Sequence, residues 1–224
     1  MPRLRRCWPR LGSSPSARPI RRTSAVSRAP GTSATWHSSS RAHPGYSDRL
    51  RETPEELNEL QDLLDASLSR STAHLRSIIN TERTLTAEQL TQVLTGMCTL
   101  ALSTVTAKGE PRVSGADGHF LHGRWHFGTA RGAAKARHLA ARPAASVAHM
   151  RGEDLGVFTH GEVEILNPED GEPAADWPDL LAYFKDFYGD DAFDWDNDVV
   201  FYRLHPHWMT VFAPDVAKLT GEST

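Results

Sequence analysis

The sequence predicts a mainly β protein built on a small closed or partly open barrel, with helices ahead of the barrel and one short helix inserted within it. Short runs of β-branched, aromatic and small apolar residues follow one another closely from Met97 onward. Turns containing Gly or Pro separate these runs. One segment of helix-forming composition, residues 133–141, interrupts them. Closely spaced short strands of this kind are typical of small barrels.

The first 47 residues differ in composition from the rest of the chain. They contain nine arginines, many serines and prolines, and no Asp or Glu. Such a segment buries too little apolar surface to offset its loss of entropy on ordering, so we predict that residues 1–47 are a disordered tail. A start codon assigned too far upstream is the favoured interpretation. An organellar transit peptide is an alternative, and a nucleic-acid-binding arm is the least favoured one.

Composition also restricts the compartment and the class of partner. No apolar run reaches the roughly 18–20 residues of a membrane span, so we expect a soluble protein without a membrane partner. Cys7 and Cys98 are the only cysteines, one in the tail and one in a predicted buried strand. A disulfide framework and a four-cysteine zinc site are therefore not expected, and a reducing, cytoplasmic location is the simplest interpretation.

Residues 48–95 are predicted to form a helical lead-in. Thr53-Pro-Glu-Glu56 has the pattern of a capping box, with proline at the first helical position. The segment from Thr86 to Gln89 repeats this signal. After the first signal, leucines recur on one helical face, at Leu57, Leu60, Leu64, Leu68 and Leu75. The pattern predicts two amphipathic helices that cover the barrel or a dimer seam.

The barrel domain is predicted to span residues 96–216, with a short tail at 217–224. The inserted helix ends before Pro143, and a later helix is predicted at residues 177–188. The predicted strands are residues 97–106, 112–120, 124–129, 145–150, 156–166, 199–204 and 208–212.

Two passages of the chain together resemble a known family. They are LALSTVTAKGEPRVS, residues 100–114, and RWHFGTARGAAKARHLAARPAASVAHM, residues 124–150. A strand ends in a Gly-x-Pro turn, a second strand follows, and a third ends in threonine. A basic helix then stops before proline, and an apolar strand comes after it. This ordered set resembles the core of the pyridoxamine 5'-phosphate oxidase-like split-barrel family. The resemblance implies a six-stranded antiparallel split β-barrel that forms a homodimer, with a cofactor in each of two grooves at the dimer seam.

The resemblance also implies an oxidoreductase that binds FMN and transfers hydride to or from a small organic substrate. A reductase dependent on the deazaflavin coenzyme F-420 is the first alternative. A haem-binding or haem-degrading protein is another, with His149 and His160 as candidate ligands, and a flavin-binding dimer without catalysis is the last. A predicted hairpin brings His119 near His126, but the histidines lack a recognisable metal spacing, so no metal is predicted.

The cofactor phosphate sets the strongest physical demand on the site. An anion of this kind requires fixed backbone N–H groups, as at a helix N-terminus, and basic side chains. The segment from Thr129 to Arg137 supplies a strand end, a glycine-containing turn and a basic helix. Lys135, Arg137 and Thr129 match the family's cofactor-binding positions. Arg131 lies in the turn, and we expect it to reach the same anion.

The second strand is expected to line the flavin ring. Val113 and Ser114 match the family's ring-binding segment. Gly115 would allow close approach of the ring, and a β-bulge at this glycine is the alternative. The oxidase proper has an arginine near Ser114, whereas this chain has Arg112 two positions earlier, on the same strand face. This departure argues against pyridoxamine-phosphate oxidase activity itself. Because the cofactor carries the redox chemistry, the sequence predicts no catalytic residue.

Overall fold

A computed structural model of the chain describes residues 52–189 and 198–221. The predicted tail at residues 1–47, with Cys7, lies outside the described residues. Cys98 is buried and forms no disulfide within them. Among the described residues, no helix is long and apolar enough to cross a membrane.

Three helices precede the barrel: α1 spans Pro54–Arg70, α2 spans Ala73–Ile78 and α3 spans Ala87–Val93. Both predicted capping boxes are present. The Thr53 hydroxyl accepts from the Glu56 amide at 3.2 Å, and the Glu56 carboxylate accepts from the Thr53 amide at 2.9 Å. Thr86 and Gln89 make the same reciprocal pair at the start of α3.

The helical lead-in differs from the prediction in one respect, because α2 is a separate helix. The chain leaves the helical conformation at Ser71 and re-enters it after Thr72, whose side chain caps the Leu75 amide. Leu75 therefore belongs to α2, although its spacing places it on the face of α1. The polar stretch from Ser69 to Thr72 offers side-chain hydrogen bonds that compete with a continuous helix.

The barrel has the predicted order of elements. Its six strands are all antiparallel and close in the order β1-β2-β3-β6-β5-β4. This arrangement confirms the six-stranded barrel with one inserted and one late helix. The elements after α3 are β1 (Met97–Val105), β2 (Pro111–Leu121), β3 (Arg124–Ala130), α4 (Ala134–Ala141), β4 (Ala144–Arg151), β5 (Leu155–Ile165), α5 (Trp177–Tyr188), β6 (Val199–Phe212) and α6 (Val216–Thr220).

The closing strand corrects the prediction of two strands at 199–204 and 208–212, because β6 is continuous. His160 of β5 pairs with Trp208, but Gly161 pairs with Pro206, so His207 is an extra residue in a β-bulge. Proline is tolerated at a bulge, where its missing N–H is not needed by the ladder. Pro206 therefore bends the strand without ending it.

The interior of the barrel is an apolar core formed by alternate residues of each strand. Leu100, Trp125, Val157 and Leu204 are each fully buried there. Leucines of α1 and apolar residues of α4 join the same core. Burial of each large aliphatic side chain stabilises the fold by roughly 1.5–3 kcal/mol.

A second apolar layer lies outside the barrel, where α5 covers β2, β3 and β6. Leu180 and Phe184 of α5 pack against Leu121, Val199 and Phe201 of the sheet. The Phe184 and Phe201 rings stack with centroids 5.0 Å apart. This layer fixes the position of α5 beside the outer face of β2.

Candidate functional site

The barrel is split between β2 and β3. The ladder of β2 with β1 runs from Pro111 to His119, whereas its ladder with β3 covers only Gly118 to Leu121. Residues 111–117 of β2 pair with β1 and not with β3, and α4, which contacts β1 and β3, lies at this gap. We refer to the exposed area formed by residues 112–115 of β2 and residues 129–137 around the start of α4 as the β2–α4 surface.

Three hydrogen bonds hold α4 across the split. The Lys135 ammonium donates to the Gly115 carbonyl of β2. His138 Nδ1 lies 3.0 Å from the Thr104 hydroxyl of β1, and the Arg142 guanidinium donates to the Val105 carbonyl at 3.0 Å. The predicted basic helix is therefore attached to the predicted ring-binding strand.

The N-terminus of α4 is open to an anion. Side chains cap α1, α2, α3 and α6, whereas among the described residues none caps α4, which begins after Ala133, or α5. The first amides of a helix have no intrahelical acceptor, and the helix dipole makes this end partly positive. The neighbouring Gly132 leaves open space, since an added Cβ would have no atom within 4 Å.

Two of the predicted basic residues lie at this helix start. Arg137 folds back and donates to the Gly132 carbonyl at 2.6 Å, so its guanidinium lies beside the turn. Lys135 reaches towards β2 on the adjoining side. Thr129 is partly exposed at the end of β3, opposite Val200 of β6. The structure therefore brings Lys135 and Arg137 to the start of α4, whereas Thr129 lies in the preceding strand on the same face as the buried Trp125 and Phe127.

Arg131 points elsewhere. Its guanidinium donates to the Asn167 carbonyl at 2.7 Å and lies 3.8 Å from the Glu169 carboxylate. Its backbone amide donates to the Asp198 carbonyl at 2.7 Å. Arg131 thus ties the β3–α4 turn to the loop after β5. The expected contact with the cofactor anion would require it to leave these partners.

The predicted β2 residues divide between the two faces of the strand. Arg112 and Ser114 pair with the buried Thr104 and Leu102 of β1, so they lie on the side of the barrel interior. They share a face, as the sequence indicates. The Arg112 guanidinium is exposed at the strand end and donates to Glu110 at 2.8 Å.

The outer face of β2 is an open strip. Val113 is 71% exposed, and an added Cβ on Gly115 would meet no atom within 4 Å. Asp117, next on this face, is also exposed, and His119 after it is buried beneath α5. A flat, unobstructed strip of backbone of this kind suits a planar ring.

His119 lies opposite His126, as predicted, and both lie under α5. The two ring nitrogens of His119 contact the Tyr183 hydroxyl at 3.0 Å and the Tyr188 hydroxyl at 2.8 Å. Burial lowers the pKa of His119 to about 4, so its ring is neutral at pH 7. The sequence alone does not reveal these tyrosine partners, because they depend on the docking of α5.

His126 is held in an ionic network at the start of α5. Its Nδ1 donates to the Arg124 carbonyl at 3.2 Å, and its Nε2 accepts from Arg203 at 3.1 Å. Arg203 also pairs with Glu164 at 3.2 Å and with Asp176, which precedes α5. Burial, with Arg203 beside it, lowers the pKa of His126 to about 3. The described residues contain no group of three or more residues suited to a metal ion.

The two candidate haem ligands differ in accessibility. Both ring nitrogens of the buried His149 are engaged, with the Thr99 carbonyl at 3.0 Å and with Arg151 at 3.2 Å. His160 is exposed, stacks on Trp208 with centroids 4.7 Å apart, and contacts the Ser146 hydroxyl at 2.7 Å. His160 is the more accessible of the two.

The β2–α4 surface is not an enclosed cavity. A small pocket of about 130 Å³ lies elsewhere, between α1 and the β2–β3 turn. It includes Glu56, His122 and Arg124 in its lining and contains none of the predicted site residues. The candidate site is therefore defined by the surface chemistry around α4 and not by a cavity.

Comparison with known proteins identifies related sequences and folds. The model of the family described as pyridoxamine 5'-phosphate oxidase matches residues 86–212. No curated protein matches the chain.

Among solved structures, the conserved hypothetical protein Rv2991 of Mycobacterium tuberculosis is similar in fold. It has a TM-score of 0.51 and 16% identity, with 65% of this chain and 95% of that chain covered. The heme storage protein HutZ of Vibrio cholerae has a TM-score of 0.47 and 20% identity, with 56% of this chain and 92% of that chain covered. A FAD-binding protein of Mesorhizobium loti has a TM-score of 0.44 and 20% identity, with 58% of this chain and 95% of that chain covered.

Proposed function

The chain belongs to the pyridoxamine 5'-phosphate oxidase-like split-barrel family, and from this premise we propose that it is an FMN-dependent oxidoreductase acting on a small organic substrate. The observation that carries the proposal is the uncapped N-terminus of α4, with Lys135 and Arg137 beside it and the open strip of β2 opposite. Together these features fit a ligand with an anionic end and a planar end.

The phosphate of FMN would be held by the first amides of α4 together with Lys135 and Arg137. The fit is chemical: charged donors and open backbone amides are the groups that bind phosphate in proteins. Lys135 already lies at the junction of α4 and β2, where it donates to the Gly115 carbonyl. When the phosphate binds, the Lys135 ammonium would donate to a phosphate oxygen in place of the Gly115 carbonyl. The phosphate oxygen is charged and therefore forms the stronger hydrogen bond.

The ring would lie along the outer strip of β2, over Val113 and Gly115. A Cβ on Gly115 would occupy the space that the ring needs. Bound flavin supplies the hydride chemistry. The residues of this chain bind and orient it, and one face of the ring is left for the substrate.

We further propose that the enzyme is a homodimer that buries the outer face of β1, β4, β5 and β6. Small residues, including the cross-strand pair Ala101 and Ala148, lie at the centre of this face. Met150 is 58% exposed at its margin. A second copy would cover these groups and turn the open β2–α4 surface into a groove.

The deazaflavin coenzyme F-420 is the alternative cofactor, because its phosphate would use the same end of α4. We place the protein in the cytoplasm on the basis of its two cysteines, of which Cys98 is buried as a free thiol.

Absorption spectroscopy tests the proposed function. Purified full-length protein is titrated separately with FMN, coenzyme F-420 and haemin. We expect FMN to bind with a perturbed flavin absorption band and to be reduced and reoxidised in turnover. Preferential binding of F-420 would establish the alternative reductase. A Soret band that is lost in His160→Ala would contradict the flavin proposal, and bound FMN that never turns over would indicate a non-catalytic dimer.

A further inference from the structure

The small pocket between α1 and the β2–β3 turn is built on a tight two-residue turn. Leu121 pairs with Arg124, and both turn residues have positive φ, 53° at His122 and 67° at Gly123. This is the φ pattern of a type I′ turn, where glycine is usual and histidine is among the residues that adopt positive φ. An added Cβ on Gly123 would lie 3.7 Å from the Leu60 Cβ, so the turn packs directly against α1.

Two glutamates hold the turn in this position. The His122 Nδ1 lies 3.0 Å from a Glu56 carboxylate oxygen, and the Gly123 amide donates to the Glu52 carboxylate at 3.2 Å. Glu56 also accepts from the Thr53 amide at 2.9 Å, as part of the capping box of α1. The walls of the pocket are therefore held at a fixed spacing by the protein's own contacts.

Two further charged side chains line the pocket, and they have opposite sign. They are Glu59 of α1, which is exposed, and Arg124 at the start of β3, which is half-buried. Among the described residues, neither side chain forms a hydrogen bond or an ion pair with another residue. One pocket therefore offers a ligand both a carboxylate acceptor and a guanidinium donor.

The size and the remaining lining of the pocket restrict the ligand. Leu60, Leu63 and Pro206 provide apolar contacts, and Leu60 is buried. The volume of about 130 Å³ is well below the roughly 300–1,000 Å³ of pockets that take drug-sized ligands. The pocket therefore suits a molecule of few heavy atoms that carries one positive group, one negative group and a short apolar part.

From this arrangement we propose that the pocket binds a small amino acid in its zwitterionic form. The ammonium of the ligand pairs with the Glu59 carboxylate. Its carboxylate pairs with the Arg124 guanidinium, which can donate two parallel hydrogen bonds to it. A short apolar side chain contacts Leu60, Leu63 and Pro206. The pocket contains none of the residues proposed to bind the cofactor, so this inference is independent of the proposed function.

Three probes that differ by one charged group test the proposal: L-alanine, propionate and ethylammonium. Propionate is alanine without its ammonium, and ethylammonium is alanine without its carboxylate. Each probe is titrated into isotope-labelled full-length protein, and binding is followed by NMR through the Gly123 amide, which lies in the pocket wall. We expect L-alanine to bind about fivefold more tightly than either partial analogue, because only L-alanine makes both ion pairs.

Single substitutions of the two charged residues should give a crossed pattern. Glu59→Gln should lower L-alanine affinity about fivefold and leave propionate affinity unchanged, since propionate has no ammonium. Arg124→Gln should lower L-alanine affinity by a similar factor and leave ethylammonium affinity unchanged. A variant that had lost its fold would lose affinity for all three probes, so the pattern separates a binding role from a structural one.

Glu88→Gln and Arg83→Gln are the matched controls. They make the same charge changes at exposed positions outside the pocket, in α3 and in the loop before it, and should leave all three affinities unchanged. The crossed pattern with silent controls would support the site. No binding of L-alanine, equal affinities for the three probes, or L-alanine binding that neither pocket substitution weakens would overturn the inference.

Discussion

At the scale of single residues, two glycines of the barrel have opposite surroundings. A Cβ on Gly161 would lie 2.1 Å from the His205 carbonyl oxygen and 2.8 Å from its carbon, both backbone atoms at the β6 bulge. A Cβ on Gly115 would meet nothing within 4 Å. Gly161 is therefore required by the fold, whereas Gly115 leaves room for a ligand.

Alanine substitutions should separate these two roles. Gly161→Ala is expected to destabilise the protein by about 3 kcal/mol or more, since backbone atoms must move. Gly115→Ala should change stability by less than about 0.5 kcal/mol, yet weaken FMN binding by filling the proposed ring site. Urea unfolding and flavin titration measure the two effects. Equal destabilisation by both changes, or undiminished FMN binding to Gly115→Ala, would refute this assignment.

Some residues of the candidate site can be predicted from local sequence, whereas others depend on partners that are distant in the chain. Lys135 and Arg137 follow from local order, because a strand end, a turn and a basic helix are contiguous in the chain. Arg131 is in the same turn, but its guanidinium is held by Asn167, 36 residues further on. Long-range partners of this kind are set by tertiary packing, so the pattern at residues 129–137 does not reveal them.

At the scale of elements, α5 is attached to the sheet by two buried histidines. His119 holds its C-terminal half through Tyr183 and Tyr188, and His126 holds its start through Arg203. The pKa values of both histidines are lowered, to about 4 and about 3. Each is therefore neutral in the folded protein under conditions where it binds a proton in the unfolded chain.

This difference predicts a loss of stability in mild acid. The pKa of His119 is 6.5 in the unfolded chain and about 4 in the folded protein. The neutral ring therefore stabilises the fold fully above pH 6.5, and this stability is lost as the pH falls from 6.5 to 4. Between pH 7 and pH 5, His119 alone should remove about 2 kcal/mol from the free energy of unfolding. The His119→Phe variant should show a correspondingly smaller change, measured by urea unfolding at both pH values. The same pH dependence in variant and wild type would contradict the buried, neutral ring.

Most element boundaries could be predicted because they depend on local signals. The Thr53 and Thr86 capping boxes follow from their local sequence pattern, and α5 has the predicted bounds, residues 177–188. The continuity of β6 could not be predicted, because a proline such as Pro206 normally interrupts a strand. Its tolerance depends on Gly161 in the neighbouring strand, 45 positions earlier in the chain.

At the scale of the whole molecule, the proposed dimer should depend on the outer face of β1 and β4. Wild-type protein is expected to have twice the chain mass of 24.8 kDa in light scattering. Ala148→Glu should produce monomers, because it buries an unpaired charge at the centre of that face. FMN binding should weaken in the same variant, because in the proposed dimer the partner completes the groove.

Ser77→Glu provides the control, because it adds the same charge on an exposed position of α2. It should leave both the mass and FMN binding unchanged. A wild-type monomer that binds FMN fully would disprove the requirement for a second copy.

The central claim is that the end of α4 binds the phosphate of a flavin, and a comparison of FMN with riboflavin tests it most directly. Wild-type protein should bind FMN far more tightly than riboflavin, which lacks the phosphate. Lys135→Ala should cost roughly 1–3 kcal/mol of FMN affinity and leave riboflavin affinity unchanged. Lys218→Ala, which removes an exposed lysine paired with Asp154, should alter neither. Equal affinities of the wild-type protein for FMN and riboflavin would contradict the claim.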